Sequence, residues 1–211
     1  MSSEFRSWDD YFWEPGGEVL RNLWGERDAK VLADREYAET AKQAAFIETG
    51  ITRIDRTFSA SHLQAIHYAL FKNIYAWAGE FRAVPISKGF TDFAIPAEIP
   101  RYLQAANAVI KETDWANLGR VEFAETMAWV FAYINQAHPF REGNGRVSKI
   151  FMHHIAELSR FTLDFRPESS GITPEIWNNA SALSGPDRGT FEPVPDSLVP
   201  VFYNLAKPKT A

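Results

Sequence analysis

The segment from Arg120 to Ala137, RVEFAETMAWVFAYINQA, carries apolar residues on most faces of a helical wheel. A helix without a broad polar face must be covered on nearly all sides. It is therefore expected to be the central buried helix of a helical domain, with the rest of the chain wrapped around it. At 211 residues, 45% of them hydrophobic, the chain can bury a full core as one domain. Sixteen Phe and seven Trp argue against disorder.

The flanking patterns fit that frame. Val19, Leu20, Leu23 and Trp24 stand at helical spacing and stop at Gly25. Asp28 to about Glu48 is an Ala-rich helical run ending near Gly50. Ser59 is placed to cap a helix whose inner face is Leu63, Ile66, Leu70, Ile74 and Trp77, before Gly79. A helix from about Ile99 to Thr113 turns Leu103, Ala106, Val109 and Ile110 inward. Beyond the central helix, Val147, Ile150, Phe151, His154, Ile155 and Leu158 mark one face of another helix, and Thr173 with Pro174 opens a short one. A Pro-rich stretch leads to a last apolar piece, SLVPVFYNL. One segment differs in kind: in FRAVPISKGFTDFAIP, Phe81 to Pro96, residues Val84, Ile86, Phe93 and Ile95 flank SKGF and read as the chain's one β-hairpin. Pro85 and Pro96 keep its strands at an edge. The fold class expected is mainly α, a helical bundle with a small β-hairpin flap.

A net charge of −5 argues against a broad nucleic-acid footprint, so no direct nucleic-acid partner is expected. The absence of cysteine excludes disulfides, thiolate nucleophiles and cysteine-ligated zinc. The N-terminus lacks a cationic start followed by an apolar run, and no apolar segment approaches the roughly 18 to 20 residues of a membrane span. A soluble, cytoplasmic protein without a membrane partner is expected.

Between two apolar helices lies HPFREGNGRVSK, His138 to Lys149. Gly143 and Gly145 let the backbone approach a ligand closely. Their N–H groups, with those of the following helical turn, make a nest at a helix N-terminus, which binds phosphate through partly charged amides and the helix dipole. Arg146 and Lys149, three residues apart on that helix, are expected to face one ligand, and two cations suit a polyphosphate. Glu142 would repel phosphate by itself; a magnesium ion between them removes the conflict. His138 stands at the loop's entry as a proton acceptor. Pro139 and Phe140 read as structural.

At these residues the sequence resembles the Fic family (filamentation induced by cAMP), whose pattern is His-Pro-Phe, any residue, Asp or Glu, Gly-Asn-Gly-Arg, two residues, then Arg. Only the last fixed position departs, where Lys149 stands for arginine. The resemblance runs from about Ser59 to Leu158 and includes YAWAGEFRAVPISKGFTDF, similar to the family's helix and flap hairpin. On this reading the chain divides into N-terminal helices packing on the core (1–58), a Fic core with flap and active-site loop (59–160), and a helical extension of the same domain (161–211).

The resemblance implies a nucleotidyltransferase: a protein adenylyltransferase that moves AMP from ATP to a Ser, Thr or Tyr hydroxyl. Within it, His138 is the general base and Glu142 binds Mg2+. Gly143, Asn144 and Gly145 form an anion hole, and Arg146 contacts the phosphates. Lys149, Lys88 and Thr91 border the nucleotide. The flap residues Ile86, Ser87, Gly89, Phe90 and Phe93 dock the target by strand addition. The related Doc subgroup has lysine where Gly145 stands and is associated with phosphate transfer, so Gly145 favours AMP transfer. Lys149 either grips the γ-phosphate less rigidly than arginine's fork would, or is a tolerated exchange.

Family members are often restrained by a helix whose glutamate precedes Gly or Asn. Here only Glu142 does so, and it belongs to the active loop. The resemblance then implies a toxin held by a separate small antitoxin in a bacterial cytoplasm, with a DNA topoisomerase subunit as first target class. A catalytically weak Fic-fold binding module and a phosphotransferase are the alternatives. The N-terminal SWDDYFWEP and the helix near Val31 to Phe46 are expected to pack on the domain. His153 and His154, adjacent on a helix, do not share a face and read as non-chelating; His62 and His67 lack an evident carboxylate partner.

Overall fold

The buried helix spans Arg120–Ala137, and Phe123, Ala124, Met127, Ala128, Val130 and Ala132 along it have no exposed surface. It is the fourth of eight α-helices among the described residues: α1 Ala29–Glu48, α2 Ala60–Phe71, α3 Ile99–Glu112, α4 Arg120–Ala137, α5 Asn144–Ala156, α6 Pro167–Ser170, α7 Pro174–Leu183 and α8 Val199–Leu205. The structure, a computed structural model, describes residues 4–89 and 91–209.

The chain starts α4 at Gly119, whose N–H donates to the Glu122 carboxylate at 2.7 Å and so satisfies one of the free donors of the first turn. α3 and α8 lie along α4, α5 packs against it from the motif side, α2 covers α5, and α1 covers α2. The amphipathic spacing of α3, with Ile99, Tyr102, Leu103, Ala106 and Ile110 buried, explains its docking on α4. Buried side chains from Phe5 to Ala206 join in one hydrophobic cluster. No helix of the described residues is long and apolar enough to cross a membrane.

Asp28 and Thr173 cap α1 and α7, their side chains accepting from Val31 N–H and Ile176 N–H. Ser59 holds the N-cap position of α2, but its hydroxyl does not cap the helix; it bonds the hydroxyls of Thr57 and Ser61 instead. The hairpin is real and short: β1 (Ser87–Lys88) pairs antiparallel with β2 (Thr91–Asp92), with Gly89 at φ +60° beginning the turn. Phe93 N–H donates to Ile86 O at 3.3 Å and extends the pairing by one bond, while Val84 and Ile95 lie outside it.

Several features depart from the sequence expectation. Helix α2 ends at Phe71, so Ile74 and Trp77 lie beyond it, buried in the turns that follow rather than on its face. Residues 19–24 are not helical, because their backbone bonds reach other segments: Trp13 N–H to Val19 O, Arg21 N–H to Tyr11 O, and Leu23 N–H to Ile74 O. A second strand pair exists, β3 (Phe161–Leu163) with β4 (Ala206–Pro208), which brings the chain's last described residues back beside the end of α5. Helix α5 begins at Asn144, between the two motif glycines, and Leu158 lies past its end, 40% exposed.

Candidate active site

The connection from α4 to α5 is held rigidly from below. Phe140 is fully buried, its ring stacked on His67 at 4.0 Å. The Nδ1 atom of His67 accepts from Gly79 N–H at 2.7 Å, so the proton sits on Nε2, which donates to the Glu142 carbonyl at 3.2 Å. Burial, above all, pushes the basicity of His67 down to about 3, which keeps the ring neutral in this role. Asn144 closes the loop from within: its side chain accepts from Phe140 N–H and donates to Phe140 O. Gly143 is required on two counts. Its φ is +82°, and a Cβ there would meet the Phe71 ring at 2.3 Å. Gly145 faces open space; a Cβ there would touch nothing within 4 Å.

Above the loop is a cavity of about 740 Å³, within the range of sites that hold a drug-sized ligand. His138, Glu142, Gly143, Asn144 and Gly145 line one wall. Lys88, Gly89, Thr91 and Phe93 of the hairpin line the roof, and Trp177, Asn178 and Ser181 of α7 line the far side.

His138 ends α4 in a left-handed conformation, φ +38° and ψ +59°, rare for a residue other than glycine. Its ring is half-buried beneath Phe93, the centroids 3.7 Å apart and the planes nearly parallel. Desolvation first, then the charge of Arg82, pushes its basicity down to about 3, against the pull of the Asn135 carbonyl. The imidazole is thus neutral and can accept a proton.

Glu142 turns one oxygen inward: Oε1 accepts from Gly143 N–H at 2.8 Å and from Arg146 Nη2 at 3.2 Å. Its Oε2 has no hydrogen-bond partner among the described residues, and the side chain is 42% exposed. Those residues hold no group of three or more potential metal-ligating side chains. A single half-free carboxylate fits magnesium that arrives with a polyphosphate, since that ion is usually held by one or two carboxylates plus substrate phosphates.

The structure does not bring Arg146 and Lys149 to one ligand as the spacing implied. Arg146 faces α1, where it bonds Glu36 Oε1 at 2.7 Å and Thr40 Oγ1 at 3.1 Å, with the Phe71 ring 4.8 Å away. Glu36 also accepts from the buried Tyr75 hydroxyl. Lys149 Nζ lies 5.1 Å from the Phe165 ring and 5.8 Å from that of Trp177, where burial lowers its basicity. Neither residue lines the cavity, nor do Ile86 and Ser87. Phe90 lies outside the described residues. His154 is buried, its Nδ1 paired with His62 Nε2 at 2.9 Å.

Four residues that shape the site have no assigned role in the sequence reading: Glu36, His67, Arg82 and Arg141. The Arg141 guanidinium sits over Trp8 at 4.1 Å, with Phe12 and Tyr11 at 5.3 and 5.9 Å, so SWDDYFWEP grips the active loop directly. Two of the four carried a signal. His67 falls on the same helical stripe as Leu63 and Leu70, and Arg82 interrupts the apolar run around Phe81 and Val84.

Residues 57–156 match the family model described as the Fic/DOC family. A Salmonella typhimurium protein named probable protein adenylyltransferase Fic is 34% identical over 183 residues, covering 86% of this chain and 87% of that one. This chain belongs to the Fic/DOC family. Among solved structures, the Fic fold here superposes on BepC of Bartonella tribocorum with bound AMPPNP at TM-score 0.80 and 26% identity, covering 96% and 98% of the two chains. An N-terminal Fic domain from Bartonella quintana with bound ADP gives TM-score 0.79 at 28% identity, covering 95% of each.

Proposed function

We propose that this Fic/DOC protein is a protein adenylyltransferase in which His138 receives the proton of a target Ser, Thr or Tyr hydroxyl. The freed oxygen attacks the α-phosphorus of ATP, the bond to the β-phosphate oxygen breaks, and pyrophosphate leaves with the electron pair. The observation that carries this reading is the shared wall of the cavity: a neutral imidazole, a half-free carboxylate and the Gly143–Gly145 backbone in one place. A nucleotide's negative charge beside the ring favours its protonated form, so substrate binding raises the basicity that burial suppresses. The main-chain amides of the loop and the first turn of α5 hold the phosphates. Glu142 would hold Mg2+, which neutralises phosphate charge when bound.

Arg146 serves this site through Glu142, bracing that carboxylate against α1; Lys149 stands outside the lining but beside Trp177, which lines it, and from there would lend cationic charge to the γ-phosphate end. The hairpin residues around Gly89 and Phe93 hold the target segment. The open space at Gly145 supports AMP transfer. The biological setting we infer is a bacterial cytoplasm, with a small antitoxin supplying the inhibitory glutamate this chain lacks and a DNA topoisomerase subunit as the first target to test.

Incubation of the protein with ATP labelled at the α-phosphate, magnesium and bacterial lysate tests the reading. A labelled protein band that disappears with His138→Ala is expected; a band of equal strength with that variant refutes the role of His138.

A further inference from the structure

Arg82 is 2% exposed and has no carboxylate partner among the described residues. A buried cation is costly unless every donor is used, and here the partners are all backbone carbonyls. Nε donates to His138 O at 2.8 Å, Nη1 to Val84 O at 2.7 Å, and Nη2 to Ala94 O at 2.5 Å and Ala137 O at 3.2 Å. The residue's own N–H donates to Pro139 O at 2.9 Å. Ala137, His138 and Pro139 are the end of α4 and the entry to the active loop; Val84 and Ala94 stand just before and just after the hairpin.

We propose that Arg82 is the positioning residue of the reaction, one side chain that fixes both the His138 imidazole and the flap above it. The inference rests on the reading of His138 as proton acceptor. A left-handed residue with a Cβ is strained and persists only where its surroundings enforce it. Arg82 supplies that lock by holding the His138 carbonyl, while the His138 N–H bonds Ile134 O at 3.1 Å. Only a planar fork of five donors spans these carbonyls at once; lysine, a point charge, does not. The same cation bears on protonation. The charged groups that act on the ring are Arg82 and, more weakly, Lys88 of the hairpin, and both disfavour imidazolium.

The test compares Arg82→Gln, Arg82→Lys and His138→Ala in the full chain, by initial rates of AMP transfer from α-labelled ATP to lysate proteins across pH. Arg82→Gln is expected to lower the maximal rate by about 100-fold, as misplacement of a reacting group does, with KM for ATP within about threefold. Loss of the cation should also raise the acid limb of the pH–rate profile by about one unit. Arg82→Lys is expected to lose about 10-fold with the acid limb unmoved, since charge stays while the fork goes. Wild-type rates in either folded variant, or a slow Arg82→Gln enzyme whose acid limb does not move, overturn the proposal. Should neither variant fold, nitrogen NMR of the wild-type protein decides: the Arg82 Nε signal must shift as His138 titrates, and indifference overturns the proposal. Full activity in His138→Ala instead refutes the reading of His138 itself, so the two failures are distinguishable.

Discussion

The Arg146 guanidinium and the Glu36 carboxylate lie 2.7 Å apart and join the first turn of α5 to the middle of α1 across 110 residues of chain. The pair is partly shielded, with side-chain exposures of 33% and 13%, and Thr40, Glu142 and Tyr75 complete the network. Charges in such a network interact more strongly than on an open surface. Glu36→Gln should lower Tm by about 3–6 °C. A double-mutant cycle with Arg146→Met should give a coupling of about 1–2 kcal/mol, and additive effects of the two changes would show that the contact is energetically silent.

The two loop glycines should fail differently. Gly143→Ala puts a Cβ into the Phe71 ring at a φ of +82°, costing about 2 kcal/mol or more, so Tm should drop by about 5–10 °C. Gly145→Ala meets nothing and should leave Tm within about 2 °C while weakening ATP. Calorimetric melting beside ATP titration checks both, and equal Tm losses at the two positions would contradict the assignment.

How much of this was legible beforehand depends on where each backbone or side chain finds its partner. The limits of α4 could be read because an all-round apolar pattern ends in His-Pro at one side and begins beyond Gly119 at the other. The false helix at Val19 to Trp24 had good spacing, but its amides are taken by Tyr11 and Ile74, a non-local choice that periodicity cannot register. The β3–β4 pair joins Phe161 to Pro208 and was hidden for the same reason. In the candidate site, His138 and the glycines could be placed together because they stand on one loop, which lines one wall of the cavity. Glu36 was not, since nothing in α1 reveals a cation brought there from α5. The partners of His67 are Gly79 N–H and Glu142 O, backbone groups that no residue type in the sequence announces.

Stability should fall in mild acid. His62 and His154 form a buried pair in which His62 accepts from Phe58 N–H, and burial, first of all, pushes both down to about 3. In the unfolded chain their pKa is about 6.5. Below that value the unfolded state binds protons the folded state does not, so stability is full above about pH 6.5 and is lost as pH falls toward 3. Tm should drop by about 5 °C or more between pH 7 and pH 5, and a flat Tm over that interval would contradict the buried, neutral pair.

Lys149 rests near the rings of Phe165 and Trp177. Lys149→Arg keeps that packing, because guanidinium also stacks on aromatic faces, and adds a fork suited to phosphate. KM for ATP should fall by about threefold or more, equivalent to about 0.7 kcal/mol. An unchanged or higher KM in steady-state kinetics would remove Lys149 from the nucleotide's neighbourhood.

The central claim is that the loop delivers a target hydroxyl to the α-phosphorus of ATP. Parallel transfer assays with ATP labelled at the α- or the γ-phosphate test it most directly. The account predicts stable protein label from the α-position alone, lost with His138→Ala; protein label from the γ-position would make the enzyme a phosphotransferase and contradict it.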